Sequence, residues 1–224
     1  DTIKKIIQDF FQEGTVTIVG SGLSLAEGIP GMGELAKKLQ MEIPGLLSAT
    51  GDIKNWNNIE NDLAKGVGLE EALHNTKPSS YVEECIRKVT AIYIGEADKG
   101  LLTDIVKTGK QLRFSEYLQL FNIRNEGMTV ITTNYDRLLE YACETNEIMA
   151  DTLFVGKYIA RFKPDQSKYA SCIGVQRTNG KGKKLQYSPR VTILKPHGCL
   201  SWHLINSIPY SLPDYSIEDS LIIT

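Results

Sequence analysis

Three short polar clusters carry the residue types that could do chemistry, and each directly follows an apolar, β-branched run. They are Gly20-Ser21-Gly22-Leu23-Ser24, Thr132-Thr133-Asn134-Tyr135-Asp136 and Lys195-Pro196-His197-Gly198. In the first, two glycines one residue apart permit a tight turn and let backbone N–H groups approach an anion, with the positive end of a following helix behind them. That suits a pyrophosphate, yet a Gly-x-Gly after a strand serves equally as an ordinary strand-to-helix turn. The full dinucleotide-binding fingerprint would place glycine or alanine five residues after Gly20, where Leu25 stands. In the second cluster Asn134 offers a neutral donor and acceptor at a strand end, or simple turn chemistry. Asp136 is placed either to serve the site or to cap the helix that follows. His197 is one of three histidines, with His74 and His203. Its imidazole is the side chain best suited to proton transfer near neutral pH, although a lone histidine is also commonly structural.

The flanking patterns supply elements to position these clusters. Thr15 to Val19, Met128 to Thr132 and Val191 to Leu194 read as short buried strands, being β-branched and uncharged. Ile3, Ile6, Ile7, Phe10 and Phe11 recur at helical spacing within residues 2–12, ending at Gly14. A helix is expected from Gly33 to Gln40, broken by Pro44 and Gly45. Apolar sets at Leu63–Leu73, Val82–Tyr93 and Leu101–Val106 predict a mainly helical insertion, closed by a helix from Ser115, as cap, to Ile123. Another helix follows Asp136, a residue able to cap it, and runs through Glu144. The polar stretch 161–190 reads as loop or hairpin, with Lys181-Gly182-Lys183-Lys184 a solvated part of it. Strands alternating with helices predict an α/β fold with a largely parallel sheet. In such sheets the ligand crevice lies at the carboxyl ends of the strands, so the three clusters should converge there.

Composition narrows the function classes. The 224 residues suffice for one domain with a core, and 42% hydrophobic with 23% charged residues is ordinary for a globular chain. A net charge of −2 gives no global reason to expect nucleic acid or an anionic membrane as partner. No run approaches the roughly 18 apolar residues that a membrane span needs, and the first residues do not read as an export signal. Cys85, Cys143, Cys172 and Cys199 are scattered, with no Cys-x-x-Cys pair for a zinc ribbon or a dithiol. Reduced core or surface thiols are expected, and with them a cytoplasmic chain. The sequence stops on Leu221-Ile222-Ile223, as if within a strand, which suggests a fragment of something longer.

Together, "GSGLSLAEGIP", "TTNYD" and "KPHG" resemble the sirtuin superfamily in order and broad spacing, from Val16 to Gly198. Its members usually show Gly-Ala-Gly-x-Ser with Gly-Ile-Pro, then Thr-x-Asn-x-Asp, then His-Gly. The departures indicate a branch. Deacylase sirtuins follow Gly-Ile-Pro with Asp-Phe-Arg, where this chain has Gly31-Met32-Gly33-Glu34-Leu35. They also carry a four-cysteine zinc module that is missing here, and glutamine where Thr133 stands. The chain is more similar to the sirtuin-like domain of bacterial anti-phage defence proteins, whose known members hydrolyse NAD. Those commonly show Gly-x-Pro-x-aromatic-x-Glu-Leu, matched here except for Met32 at the aromatic position.

The resemblance implies a Rossmann-like parallel sheet flanked by helices. It implies one NAD-binding domain over 1–224, with a helical insertion around 57–123. NAD would be the substrate, cleaved at the nicotinamide–ribose bond to nicotinamide and ADP-ribose, and no zinc is expected. Asn134, His197 and Asp136 would be catalytic: Asn134 orienting water and ribose, His197 acting as general base, Asp136 bonding the nicotinamide amide or supporting Asn134. Gly20, Ser21, Gly22, Ser24, Ile29, Pro30 and Thr133 would hold the dinucleotide. The competing readings are an NAD-dependent protein deacylase or ADP-ribosyltransferase, and a non-catalytic NAD or ADP-ribose sensor. A dehydrogenase is disfavoured by Leu25. Partners expected are further copies of the chain, or a regulatory ATPase or phage-sensing domain, without direct nucleic-acid or membrane contact.

Overall fold

The computed structural model describes residues 14–121, 127–177, 182–212 and 221–223, together with Lys5. The helix expected over 2–12 therefore lies outside the described residues, Lys5 apart. In chain order, β1 (Val16–Val19) leads through a short helix α1 (Ser21–Leu25) into a helical layer: α2 (Met32–Leu46), α3 (Thr50–Ala64), α4 (Leu69–Asn75), α5 (Ser80–Thr108) and α6 (Arg113–Gln119). Then come β2 (Met128–Thr132), α7 (Leu138–Glu144), β3 (Met149–Asp151), β4 (Phe154–Val155), β5 (Ala160–Phe162) and α8 (Pro164–Ser167). The described chain closes with β6 (Cys172–Arg177), β7 (Lys183–Tyr187), β8 (Arg190–Leu194), β9 (Gly198–Ile205), β10 (Ile208–Ser211) and β11 (Leu221–Ile223).

The central sheet is wholly parallel in the order β1-β2-β8-β3. It is a Rossmann-like sheet flanked by helices, as the alternation of strand and helix patterns predicts. Strand side chains alternate across the pleat, so Met128 and Val130 with Val191 and Ile193 enter one core. α7 covers them with Leu138, Leu139 and Ala142, and α6 adds Phe114 and Leu118. A second core lies wholly among helices, between Leu35, Leu39 and Ile43 of α2, Trp56 and Ile59 of α3, and Val82 and Val89 of α5. Helix α5 is long enough to serve both, since Ile94, Leu101 and Ile105 of its later turns join the sheet core. It starts where Ser79 accepts a hydrogen bond from Val82 N and donates to Asp52, 2.6 Å away. It stops at Gly109, whose φ of +68° suits glycine.

Several expectations need correction. α2 runs through Pro44 to Leu46, because a proline near a helix end forfeits one hydrogen bond while fully buried Ile43 holds that turn in the core. Helical structure begins well before residue 57, and the sets at 82–93 and 101–106 belong to one 29-residue helix. Ser115 does not cap α6: the helix starts at Arg113, leaving Ser115 buried within it and its hydroxyl without a hydrogen-bond partner among the described residues. β1 is an edge strand, so Val16 and Ile18 are exposed rather than buried. Within 161–190 the β6–β7 hairpin is present, preceded by the short α8. A second, five-stranded antiparallel sheet, β11-β9-β10-β5-β4, was not legible beyond Leu221–Ile223.

Candidate functional site

Each of the three clusters sits immediately after a strand of the parallel sheet, on β1, β2 and β8, which are neighbours in the order β1-β2-β8. The chain therefore delivers them side by side at the carboxyl end of the parallel sheet, and hydrogen bonds lock them together. Asn134 Nδ2 donates to Gly20 O at 3.0 Å and to Ser24 Oγ at 2.6 Å. Ser24 Oγ in turn donates to Asp136 Oδ2 at 2.7 Å. Asp136 Oδ1 accepts from Leu138 N, the first residue of α7, at 3.1 Å, although Arg137 rather than Asp136 stands at the N-cap position. The third cluster is tied in by Leu200 N, which donates to Tyr135 O at 3.0 Å, and by Lys195 Nζ, which donates to Asp136 O.

This network settles what each group has left for a ligand. Two acceptors engage the Asn134 amide nitrogen, which fixes its orientation and, among the described residues, leaves Oδ1 as the unengaged end of the amide. Ser24 is nearly inaccessible, and its hydroxyl proton is committed to Asp136. Its available role is to support Asn134 rather than to donate to a phosphate. Asp136 is 4% exposed with both oxygens engaged, and Ser24 Oγ bridges it to Asn134.

Beneath the loop lies a buried charged pair. Lys195 Nζ stands 2.9 Å from Glu140 Oε1. Burial works against the Lys195 ammonium, but Cys199, Glu140 and Asp136 around it prevail and its pKa lies above the usual lysine value. Burial also raises the pKa of Glu140, against the pull of Lys195. Burial likewise pushes the Cys199 thiol up.

A cavity of about 470 Å³ opens beside the network, lined by Ser21, Ser24, Ile29, Pro30, Thr133, Asn134, Asp136 and His197 from the expected set. Gly20 and Gly22 lie next to it, outside the lining. At both, an added Cβ would meet nothing within 4 Å, and neither has positive φ. Internal packing and backbone conformation do not demand glycine there, so the open space is available for a ligand to approach the backbone. Gly28 differs, since its φ of +91° requires glycine and turns Ile29 into the core. His197 sits half-buried in the turn closed by Gly198 N to Lys195 O at 3.0 Å and lines the cavity.

The opposite wall was missed by sequence reasoning. It consists of Leu69, Glu70 and Leu73 on α4, and of Glu83, Ile86, Arg87, Thr90 and Ile94 on α5. The α5 residues share one stripe at helical spacing, but nothing local says that this stripe faces the strand ends. Tyr135 stands between the walls; burial, then the nearby Glu70 carboxylate, raises its phenol pKa. Among the described residues no group of three or more His, Cys, Asp or Glu side chains is placed to hold a metal ion.

Fold and site together define a Rossmann-like α/β protein with a crevice at its strand ends, where the polar clusters meet an otherwise largely apolar lining. Residues 128–224 match the family model of the SIR2-like domain. The match supports a sirtuin-like domain over this part of the chain and points to NAD-related chemistry in general. The matched segment holds Asn134, Asp136 and His197; the glycine loop lies outside it, yet binds Asn134 and Asp136 directly. No curated protein matches the chain. No helix among the described residues is long and apolar enough to cross a membrane.

Proposed function

We propose that the chain is an NAD glycohydrolase, releasing nicotinamide and ADP-ribose with water as acceptor. The observation that carries this reading is the oriented Asn134 amide: Gly20 and Ser24 take its nitrogen, so its oxygen is left to a ligand in a cavity that His197 also lines. The C1′–N bond breaks through an oxocarbenium-like state, as in glycoside hydrolysis. Its electron pair leaves with nicotinamide, which departs neutral, so no general acid is needed. Asn134 Oδ1 accepts from the attacking water or a ribose hydroxyl. As the water oxygen bonds to C1′, its proton passes to His197, directly or through that hydroxyl, and on to solvent. Gly20, Ser21 and Gly22 offer backbone to the pyrophosphate, with Ile29, Pro30 and Thr133 shaping the wall. Asp136 keeps Ser24, and through it Asn134, in place.

The resemblance of the glycine loop and residues 28–35 to defence domains supports a role in anti-phage NAD depletion, held in check by self-assembly or by a partner. The site is tested with Asn134→Ala and His197→Ala. Each should lower NAD consumption by about 10²–10⁴-fold while the thermal unfolding profile stays that of a folded protein. A variant that consumes NAD at the unmutated rate removes that residue from the mechanism.

A further inference from the structure

The cavity meets its proposed substrate with an unusual charge balance. NAD carries a diphosphate, yet the acidic groups lining the cavity are Glu70, Glu83 and Asp136, and Arg87 is the one permanent cation among the described lining residues. Arg87 comes from α5 and lines the same cavity as Ser21 of the glycine loop. Its Nη2 lies 2.7 Å from Glu83 Oε1, one turn earlier on the same helix. Both side chains are partly exposed, at 31% for Arg87 and 56% for Glu83. Such an i,i+4 pair shifts an equilibrium only about twofold, so leaving it costs little. A phosphate is the better partner, because it accepts from the planar guanidinium fork in a bidentate, charge-assisted way.

On the NAD reading given above, we propose that Arg87 is a specificity-determining residue that selects a diphosphate-bearing substrate. Glu83 is the carboxylate from which Arg87 departs when that substrate enters. The helical layer then contributes to recognition rather than merely covering the sheet. A structural ion pair and a substrate-exchanged pair make opposite predictions. If the pair is only structural, removing either charge has the same small effect on stability and none on binding. If Glu83 competes with phosphate for Arg87, the two removals act in opposite directions.

The experiment titrates ADP-ribose into the full chain and its variants by calorimetry, alongside KM and kcat for NAD. Arg87→Gln should weaken ADP-ribose binding about 10-fold or more, as loss of a charge-assisted hydrogen bond implies, and raise KM with kcat within a few-fold. Glu83→Gln should tighten ADP-ribose binding about twofold or more. Arg87→Lys should fall between Arg87→Gln and the parent. Nicotinamide riboside, which lacks the diphosphate, should compete equally well against the parent and Arg87→Gln. The inference is overturned if Arg87→Gln binds ADP-ribose as the parent does, or if both charge removals weaken binding alike with a common fall in melting temperature. A parent chain that neither binds ADP-ribose nor consumes NAD overturns the functional reading and this inference together.

Discussion

Ser24 is the point at which the account can be stressed most sharply. Its buried hydroxyl donates to Asp136 at 2.7 Å and accepts from Asn134 at 2.6 Å, so Ser24→Ala removes two hydrogen bonds at once. The bond to the carboxylate is charge-assisted and worth about 1.5–3 kcal/mol. The bond from Asn134 is neutral and worth about 0.5–1.5 kcal/mol, because that amide keeps Gly20 O as its second acceptor. A loss of about 2–4 kcal/mol follows, which for a chain of this size lowers the melting temperature on the order of 5–15 °C. The amide, held then by one acceptor instead of two, points its oxygen less strictly, so kcat should fall on the order of 10-fold with little change in KM. Scanning calorimetry and initial rates of nicotinamide release check both parts. An unchanged melting temperature would show that the network contributes nothing to the fold. A destabilised variant with the parent kcat would show that Ser24 does not position Asn134.

Two further outcomes follow from buried chemistry. Lys195→Met strands the Glu140 carboxylate in the interior and should cost about 3–5 kcal/mol in urea unfolding at pH 8. Burial already raises the pKa of Glu140, so the folded variant takes up a proton more readily than the unfolded chain. That contribution is full below the unfolded carboxylate pKa and is lost as pH rises through the folded value, so the deficit should shrink between pH 8 and pH 5; a deficit independent of pH would contradict it. Cys172 is exposed while Cys85, Cys143 and Cys199 are buried, with thiols held above their usual pKa chiefly by burial. An aqueous thiol reagent should therefore label Cys172 alone in the native chain, and rapid labelling of Cys199 would contradict that burial.

The parallel sheet and its crevice were legible because β-branched runs at Val16–Val19, Met128–Thr132 and Val191–Leu194 each end directly in a polar cluster. The convergence of Ser24, Asn134 and Asp136 follows from that alternation once the strands are parallel neighbours. What the sequence could not disclose was tertiary. The charges of Glu83 and Arg87 look like an ordinary solvated i,i+4 pair until α5 is packed to line the crevice. Lys195 read as one more polar residue after a strand, though it is buried against Glu140 from a separate helix. The short strands of the antiparallel sheet escaped notice because segments such as Phe154–Val155 are too brief to show a period. Pro44 and Ser115 misled for the same reason: local preference for a break or a cap yields to burial of Ile43 and Phe114 beside them.

The central claim, that NAD is consumed with water as acceptor, is tested most directly by a time course of NAD, nicotinamide and ADP-ribose with the full chain, with and without an acetylated peptide. The account predicts that nicotinamide and ADP-ribose appear in equal amounts as NAD falls, at a rate the peptide does not change. Nicotinamide release that requires the peptide, or stable retention of NAD without any release, would contradict it.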